Sequence, residues 1–341
     1  MLKVKKKRSF LIPLFLILAI ITAIIAASIG VVSIPIDAVF QVIIYKLGSR
    51  KECDLTPNII LTLWELRFPR IIMSLFVGMS LAICGALFQS VFRNPICDPY
   101  ILGISSGASL GAAIAFILGW DIILLGITIP ALITALLTLV LIIGIAQISK
   151  RKDNNTLLLI GIALNFLISA IITLLIVVNQ KEMTKIIFWT MGSFSSTTWN
   201  DIGILFPMIL MTVFPILYYS KELNIMQMGN DTAKTLGINT ERITMTVLIF
   251  ASILIAVVVS ICGVIGFIGL IIPHIVRFLF GNNNRRVFSY SLFFGAIFML
   301  IADTLARTLA IPSELPVGSI TAIAGAPYFI YLLLRKNRVF L

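Results

Sequence analysis

The sequence predicts an all-α, polytopic membrane protein of about ten transmembrane helices, built as two inverted repeats with both termini in the cytoplasm. Three observations predict it. Hydrophobic residues make up 60% of the 341 residues and charged residues only 12%, and the mean hydropathy is +1.10. Apolar runs recur along the whole chain, most near the roughly 20 residues that a helix needs to cross a bilayer core about 30 Å thick. Lysine and arginine are spread unevenly between alternate loops, as expected when basic loops stay in the cytoplasm.

The elements follow in order. Lys3, Lys5, Lys6, Lys7 and Arg8 precede an apolar run over 10–33. That run is too long for the apolar region of a signal peptide, and no small-residue cleavage site stands near Ser33-Ile34-Pro35. It reads as a retained first span with a cytoplasmic start. A polar loop at 34–57 would lie outside. The run at 58–92 is over-long for one span, and the next, 100–119, is short. Further runs occupy 121–148, 156–179 and 198–219, then a polar loop at 219–240, then 241–262, a short run at 268–281, 287–310 and 317–335. No separate soluble domain interrupts them, so residues 1–341 are expected to form one transmembrane domain.

Orientation follows from the basic residues. With alternating spans and an inside N-terminus, the inside segments hold the five N-terminal residues, Arg93, Lys150, Arg151, Lys152, Lys221, Lys234, Arg242, Arg285, Arg286, Arg335, Lys336 and Arg338. The outside segments hold only Lys46, Arg50, Lys51, Arg67, Arg70, Lys181 and Lys185. An odd number of spans would put Arg335-Lys336-Asn337-Arg338 outside, against this bias. Each half of the chain pairs a long span with a short glycine-bearing segment, Gly103 to Gly111 and Gly263 to Arg277. If these are repeats, the offset of about five helices inverts one copy relative to the other, a common transporter architecture.

Composition also excludes functions. The net charge of +12 is accounted for by cytoplasmic loops and gives no sign of nucleic-acid binding. Cys53, Cys84, Cys97 and Cys262 lack any CxxC spacing, so neither a zinc site nor a disulfide framework is expected. His274, the one histidine, has no ligand-spaced partner and reads as a hydrogen-bonded structural residue. No metal or cofactor site is expected. No G-x-x-x-x-G-K-[ST] is present to hold nucleotide phosphates. No paired carboxylates, histidine cluster or activated nucleophile suggests an enzyme.

Four patterns carry chemistry. Arg67, Arg70 and Arg307 fall near the outer face, where guanidinium groups could receive carboxylates in bidentate geometry or snorkel to lipid headgroups. Asp303 lies four residues before Arg307, so the two could neutralise each other or mark a functional intramembrane site. Gly103, Gly107 and Gly111 recur four apart with Ser106 beside them, which suits close helix packing, a translocation path, or both. The inside loop Leu223 to Gly237 mixes apolar and polar residues and reads as one short helix, started at Asp231 and stopped at Gly237. It would dock into a partner's groove or rest on lipid.

These residues, taken as blocks, resemble a known family. The blocks are Arg67-Phe68-Pro69-Arg70; Arg93-Asn94-Pro95 with Asp98-Pro99 through Gly107; Phe188-Trp189-Thr190-Met191-Gly192-Ser193; the Leu223–Gly237 loop; Gly266-Phe267-Ile268-Gly269-Leu270 with Pro273-His274 and Arg277; and Asp303 to Arg307 followed by Glu314-Leu315-Pro316-Val317-Gly318 and Gly325-Ala326-Pro327. Together they resemble the permease subunits of iron–siderophore, haem and cobalamin ABC importers, the FecCD-type family, over nearly all of the chain after the first span. The resemblance implies ten helices per subunit, no catalytic activity, and a dimer with a second copy or a paralogue. It implies a bacterial cytoplasmic (inner) membrane location, in contact with lipid. It also implies cytosolic ABC ATPase subunits and an extracytoplasmic substrate-binding protein or lipoprotein as partners. Arg67, Arg70 and Arg307 would then receive glutamates of the binding protein. The loop at about 219–240, with Leu223, Met226, Met228, Gly229, Asp231, Ala233, Leu236 and Gly237, would couple to the ATPase. The turn Asn94-Pro95-Ile96, and Asn154-Asn155, would lie at the cytoplasmic gate, with Gly103, Ser106 and Gly107 along the pathway. At Asn154-Asn155 the chain departs from the hydroxyl-bearing residues expected there. Ferric siderophore is the expected cargo, with haem and cobalamin as alternatives. An ion-driven secondary transporter is the competing class, with Asp303 as its candidate carboxylate.

Overall fold

The computed structural model describes residues 11–48, 55–148 and 154–334, and every regular element among them is helical. In chain order the helices are α1 (Leu11–Ser28), α2 (Ile36–Lys46), α3 (Pro57–Val91), α4 (Ile104–Ile117), α5 (Thr128–Ile148), α6 (Asn154–Val178), α7 (Met183–Thr190), α8 (Trp199–Tyr218), α9 (Ser220–Gln227), α10 (Asn230–Thr235), α11 (Thr240–Cys262), α12 (Ile268–Phe280), α13 (Asn284–Thr308) and α14 (Val317–Leu334). Six are long and apolar enough to cross a membrane: α3, α5, α6, α8, α11 and α13. Most of α1 and α14, with α4 and α12, are shorter apolar helices. Each apolar run in the sequence has a helix at its place.

Three departures from the hydropathy reading have local causes. The over-long second run is one continuous helix of 35 residues. It stays continuous by widening to a π-helical turn at Thr62–Arg67, a distortion often found at functional positions. The run starting at 121 becomes α-helical only at Thr128, because Trp120–Ile122 form a 3-10 turn and Leu125 takes a positive φ of 60°. The loops at 34–57 and after α6 are not wholly irregular. They contain α2 and α7, short helices whose polar faces hid them from a search for apolar runs.

The core is organised around α3. From Val77 to Val91 nearly every side chain is buried, against α13, α12, α8 and α11. Small residues make this possible where the hydrophobic effect cannot hold one helix to another in lipid. A Cβ on Gly78 would lie 2.2 Å from the Gly295 carbonyl oxygen, and one on Gly295 would lie 2.3 Å from that of Gly78. The backbones of α3 and α13 therefore touch at their crossing. The two helices run antiparallel: Arg70 faces Asp303 at one end and Ser90 faces Asn284 at the other. From Arg70 to Ser90 a helix rises about 30 Å at ~1.5 Å per residue, the thickness of a bilayer core. The pair thus carries one polar cluster to each membrane face.

The two short helices α4 and α12 each begin after a residue in the left-handed region, Gly103 at φ 71° and Phe267 at φ 70°. The matching geometry recurs in the two halves that the sequence pairs. A separate apolar cluster closes the Arg70–Asp303 end of the α3–α13 pair. Ala26, Ala27, Ile34, Ala38, Val39 and Val42 pack there against Leu63, Ile71 and Leu300.

Candidate functional site

Arg67, Arg70 and Arg307 converge at one end of α3 and α13, the end that the sequence expects outside and that is called outer below, and they do so as buried groups. They are 7%, 7% and 5% exposed, and Asp303 between them is 0% exposed. Arg70 grips both oxygens of Asp303 through Nε, at 3.0 and 3.1 Å. Its Nη1 donates to both oxygens of Glu314, at 3.0 and 2.8 Å. Arg307 Nε lies 3.2 Å from Asp303 Oδ2. Asp303 is thus held by two arginines at once, its i+4 neighbour and one 233 residues away in sequence. Further donors tie in the end of α1 and the residues just after it. Arg67 donates to the carbonyls of Ala27 and Val32, and Arg307 to those of Ala26 at 3.3 Å and Ile29 at 3.5 Å. Three cations and two carboxylates leave a net charge of about one positive. Glu314 is the exposed member, at 38%.

At the other end, the loop expected as one helix is two. α9 and α10 are separated at Met228-Gly229, where Gly229 takes φ 137°, a conformation open to glycine and strained for other residues. Asp231 lies in the first turn of α10, and Gly237 follows its end at φ 78°. The eight candidate coupling residues divide by burial. Leu223, Met226 and Ala233 are buried and anchor the segment to the helices beneath. Met228 and Leu236 project, at 79% and 64% exposed, with Asp231 and Gly237 also exposed and Gly229 partly so.

The turn after α3 sits beside this segment. Asn94 Oδ1 accepts from Ile96 N–H at 3.1 Å, so the side chain itself forms the Asn94-Pro95-Ile96 turn. Arg93 donates to Asn230 Oδ1 on α10. Asp98 Oδ1 accepts from Tyr100 N–H at 2.8 Å and starts the turn Pro99–Leu102. Burial raises the Asp98 carboxyl to about 6, only partly offset by that hydrogen bond, and raises the Cys97 thiol to about 12. Asn154 and Asn155 open α6, and their side chains lie outside the described ones.

The pathway candidates separate. Gly107 faces α5: a Cβ there would meet Thr138 Oγ1 at 2.3 Å. Gly103 packs toward the Gly161 carbonyl of α6, at 3.2 Å for a built Cβ. Ser106 alone of the three borders open space. It lines a cavity of about 330 Å³ with Ser105, Ser109, Asn165, Ser169, Ile172, Thr173, Thr190 and Val264. The lining carries no charge, and its hydroxyl and amide groups share the wall with the apolar side chains of Ile172 and Val264. Several hydroxyls donate inward to their own backbone: Ser106 to Gly103 O, Ser109 to Ser105 O and Thr190 to Ile187 O. Their remaining lone pairs are free to accept. On the far side of α6, Leu159, Phe166, Leu167, Leu174 and Val177 are exposed.

His274 sets its ring edge-on to Tyr328, with centroids 6.4 Å apart, so a ring contact is its observed structural role. Among the described residues no group of His, Cys, Asp or Glu could hold a metal ion.

The sequence profile of the FecCD transport family matches residues 17–335. The chain belongs to that family. The cobalamin import system permease protein BtuC of Halobacterium salinarum is 39% identical over 79% of this chain and 72% of its own length. The iron(3+)-hydroxamate import system permease protein FhuG of Bacillus subtilis is 34% identical over 94% of this chain and 95% of its own. A solved ABC transporter assigned to the metal-chelate type, in an inward-facing conformation, superposes with a TM-score of 0.81 at 31% identity, covering 94% of this chain and 97% of that one. This FecCD chain is therefore a multi-pass permease of an ABC importer in the cytoplasmic membrane.

Several residues of this FecCD permease escaped sequence reasoning. Glu314 was seen only within a family block, yet it occupies Arg70. Ser90, Asn224, Gln227 and Asn284 form a hydrogen-bonded cluster at the inner end of α3 and α13. Uncharged polar residues scattered through an apolar chain give no signal of their own, and these partners lie 57 to 194 residues apart.

Proposed function

We propose that this permease carries a ferric siderophore into the cell as the membrane subunit of a binding-protein-dependent, ATP-driven importer. The observation that carries the cargo reading is the cavity lined by Ser105, Ser106, Ser109, Asn165, Ser169, Thr173 and Thr190. A neutral, hydrogen-bonding lining suits a polar chelate passing with weak contacts. No aromatic side chain lines it to stack on a porphyrin face. The amide-rich rim of cobalamin is the second reading, favoured by the same lining.

The remaining parts follow the reading of the sequence. A second copy or a paralogue would cover the exposed apolar side of α6 and complete the pathway. A separate cytosolic ATPase would dock on Met228 and Leu236, within the loop at 219–240 of a single transmembrane domain. The chain would itself perform no catalysis. An extracytoplasmic binding protein or lipoprotein would dock at the outer arginines. Because Arg67, Arg70 and Arg307 are buried, a partner carboxylate would reach Arg70 by displacing Glu314, the exposed in-chain carboxylate. Docking and release would differ between inward and outward states only if that exchange differs between them.

Uptake decides the cargo. A strain lacking the gene and its complemented counterpart would be given labelled ferric hydroxamate and catecholate siderophores, haem and cobalamin. Loss of ferric siderophore uptake alone, restored by the gene, is expected. Loss of haem or cobalamin uptake instead would replace the cargo assignment.

A further inference from the structure

We infer that α3 and α13 act as one rigid lever across the membrane, and that Ser90, Gln227 and Asn284 are the positioning residues that join it to the coupling segment. This inference rests on the coupling reading of α9 and α10 proposed above.

The joint is fully connected. Asn284 is 0% exposed and begins α13. Its side-chain amide donates to Ser90 Oγ on α3 at 2.8 Å. Gln227, the last residue of α9, donates to Ser90 Oγ at 3.1 Å and to Asn284 Oδ1 at 3.2 Å. Asn224, also on α9, accepts from the Asn284 backbone N–H at 2.8 Å. That N–H is one of the orphan donors at the start of a helix, which need a partner from outside it. Arg93, just past the end of α3, reaches Asn230 on α10. α9 is therefore bonded to the inner ends of both helices, and α10 to the chain just past the end of α3.

Those helices cannot slide past each other easily. Their backbones meet at Gly78 and Gly295, and Arg70 locks to Asp303 at the outer end. A displacement of α9 applied at Ser90 and Asn284 reaches the outer arginine cluster as motion of one body. Amides and a hydroxyl suit such a joint. They fix direction through hydrogen bonds and add no charge at the membrane face.

Spatial continuity alone does not establish energetic coupling, so the test measures coupling itself. The full complex of permease, ATPase and binding protein would be reconstituted in lipid bilayers. The affinity of the ferric-hydroxamate-loaded binding protein would be measured without nucleotide and with ATP trapped. For the wild type the two affinities should differ by roughly tenfold or more, since coupled sites are reciprocally linked. In Asn284→Ala, and in Ser90→Ala, that ratio should fall toward one while basal ATP hydrolysis stays within about twofold. The double variant should be no worse than the stronger single one, because both changes open the same joint. A ratio kept at the wild-type value in both single variants would overturn the proposal. So would additive losses in the double variant. Failure of both variants to assemble with the ATPase would also overturn it, because the contacts would then hold the complex together rather than transmit motion. A wild-type complex with no ATP dependence would instead sink the importer reading on which the lever rests.

Discussion

The two ends of the α3–α13 pair solve the same packing problem with opposite chemistry. At the outer end Arg70 and Arg307 hold Asp303, with Arg67 beside them on the carbonyls of Ala27 and Val32 and Glu314 at the rim. At the inner end an asparagine, a glutamine and a serine share hydrogen bonds with no formal charge. The charged end has many donors in fixed geometry and is costly to disturb, because removing one partner strands another charge. The neutral end has bonds individually worth about 0.5–1.5 kcal/mol net, which can break and reform. The outer cluster reads as a strong latch whose exposed member can be exchanged. The inner cluster reads as a joint.

The largest test of that contrast is Asp303→Ala. It leaves Arg70 and Arg307 facing each other without their shared carboxylate. We expect a loss of about 3–5 kcal/mol in stability, the usual cost of breaking a buried ion pair from one side. Thermal unfolding of the purified permease in detergent would check it. A shift no larger than that of Asn284→Ala would mean that the two ends are not energetically different.

The second test is pH. The inner joint contains no ionisable group, so the acid response of that face should come from Asp98. Its carboxyl is raised from 3.8 to about 6 by burial. The folded state then binds the proton more tightly than the unfolded chain. The resulting stability is fully present below pH 4 and is lost as pH rises through 6. At about 1.4 kcal/mol per pKa unit, the change is up to about 3 kcal/mol. Asp98→Asn keeps an acceptor for Tyr100 N–H and should flatten the profile between pH 4 and 6. An unchanged slope in that variant would assign the titration elsewhere.

What lies between the ends can be tested next. Gly295→Ala places a methyl group 2.3 Å from the Gly78 carbonyl oxygen, so the helices must separate. Overpacking of this kind costs about 1–3 kcal/mol. If the pair is a single lever, this variant should also reduce binding-protein-stimulated ATP hydrolysis, although it touches neither end. Full stimulation in a folded Gly295→Ala protein would mean that the ends act independently.

The contrast also explains what could be read from the sequence. Apolar runs marked the place of every long helix, because hydropathy and length are local properties. The i+4 spacing of Asp303 and Arg307 made their pairing legible. The pairing of Arg70 with Asp303 and Glu314 was not, because 233 and 244 residues separate the partners. Guanidinium groups near a predicted membrane face look the same whether they snorkel, dock a partner or bury themselves. The joint was less legible still. Ser90, Gln227 and Asn284 have meaning only once two helices and a loop have been folded together. The split of the coupling segment at Gly229 was missed because glycine in a polar loop reads equally as a break or a cap.

The smallest effect expected is also the one that most directly probes the latch. Glu314→Gln removes the exposed carboxylate from Arg70 Nη1 while keeping a similar shape and a hydrogen-bond acceptor. Partly exposed pairs contribute under about 1 kcal/mol, so stability should hardly change. Docking should change more visibly. The cluster gains one net positive charge, and a partner carboxylate no longer has to displace Glu314. Binding-protein affinity should rise about threefold to fivefold, mainly through faster association, with a steeper dependence on salt. Surface binding measurements at two ionic strengths would resolve both. Weaker docking, or docking indifferent to salt, would show that Glu314 completes the docking surface instead of standing in for the partner.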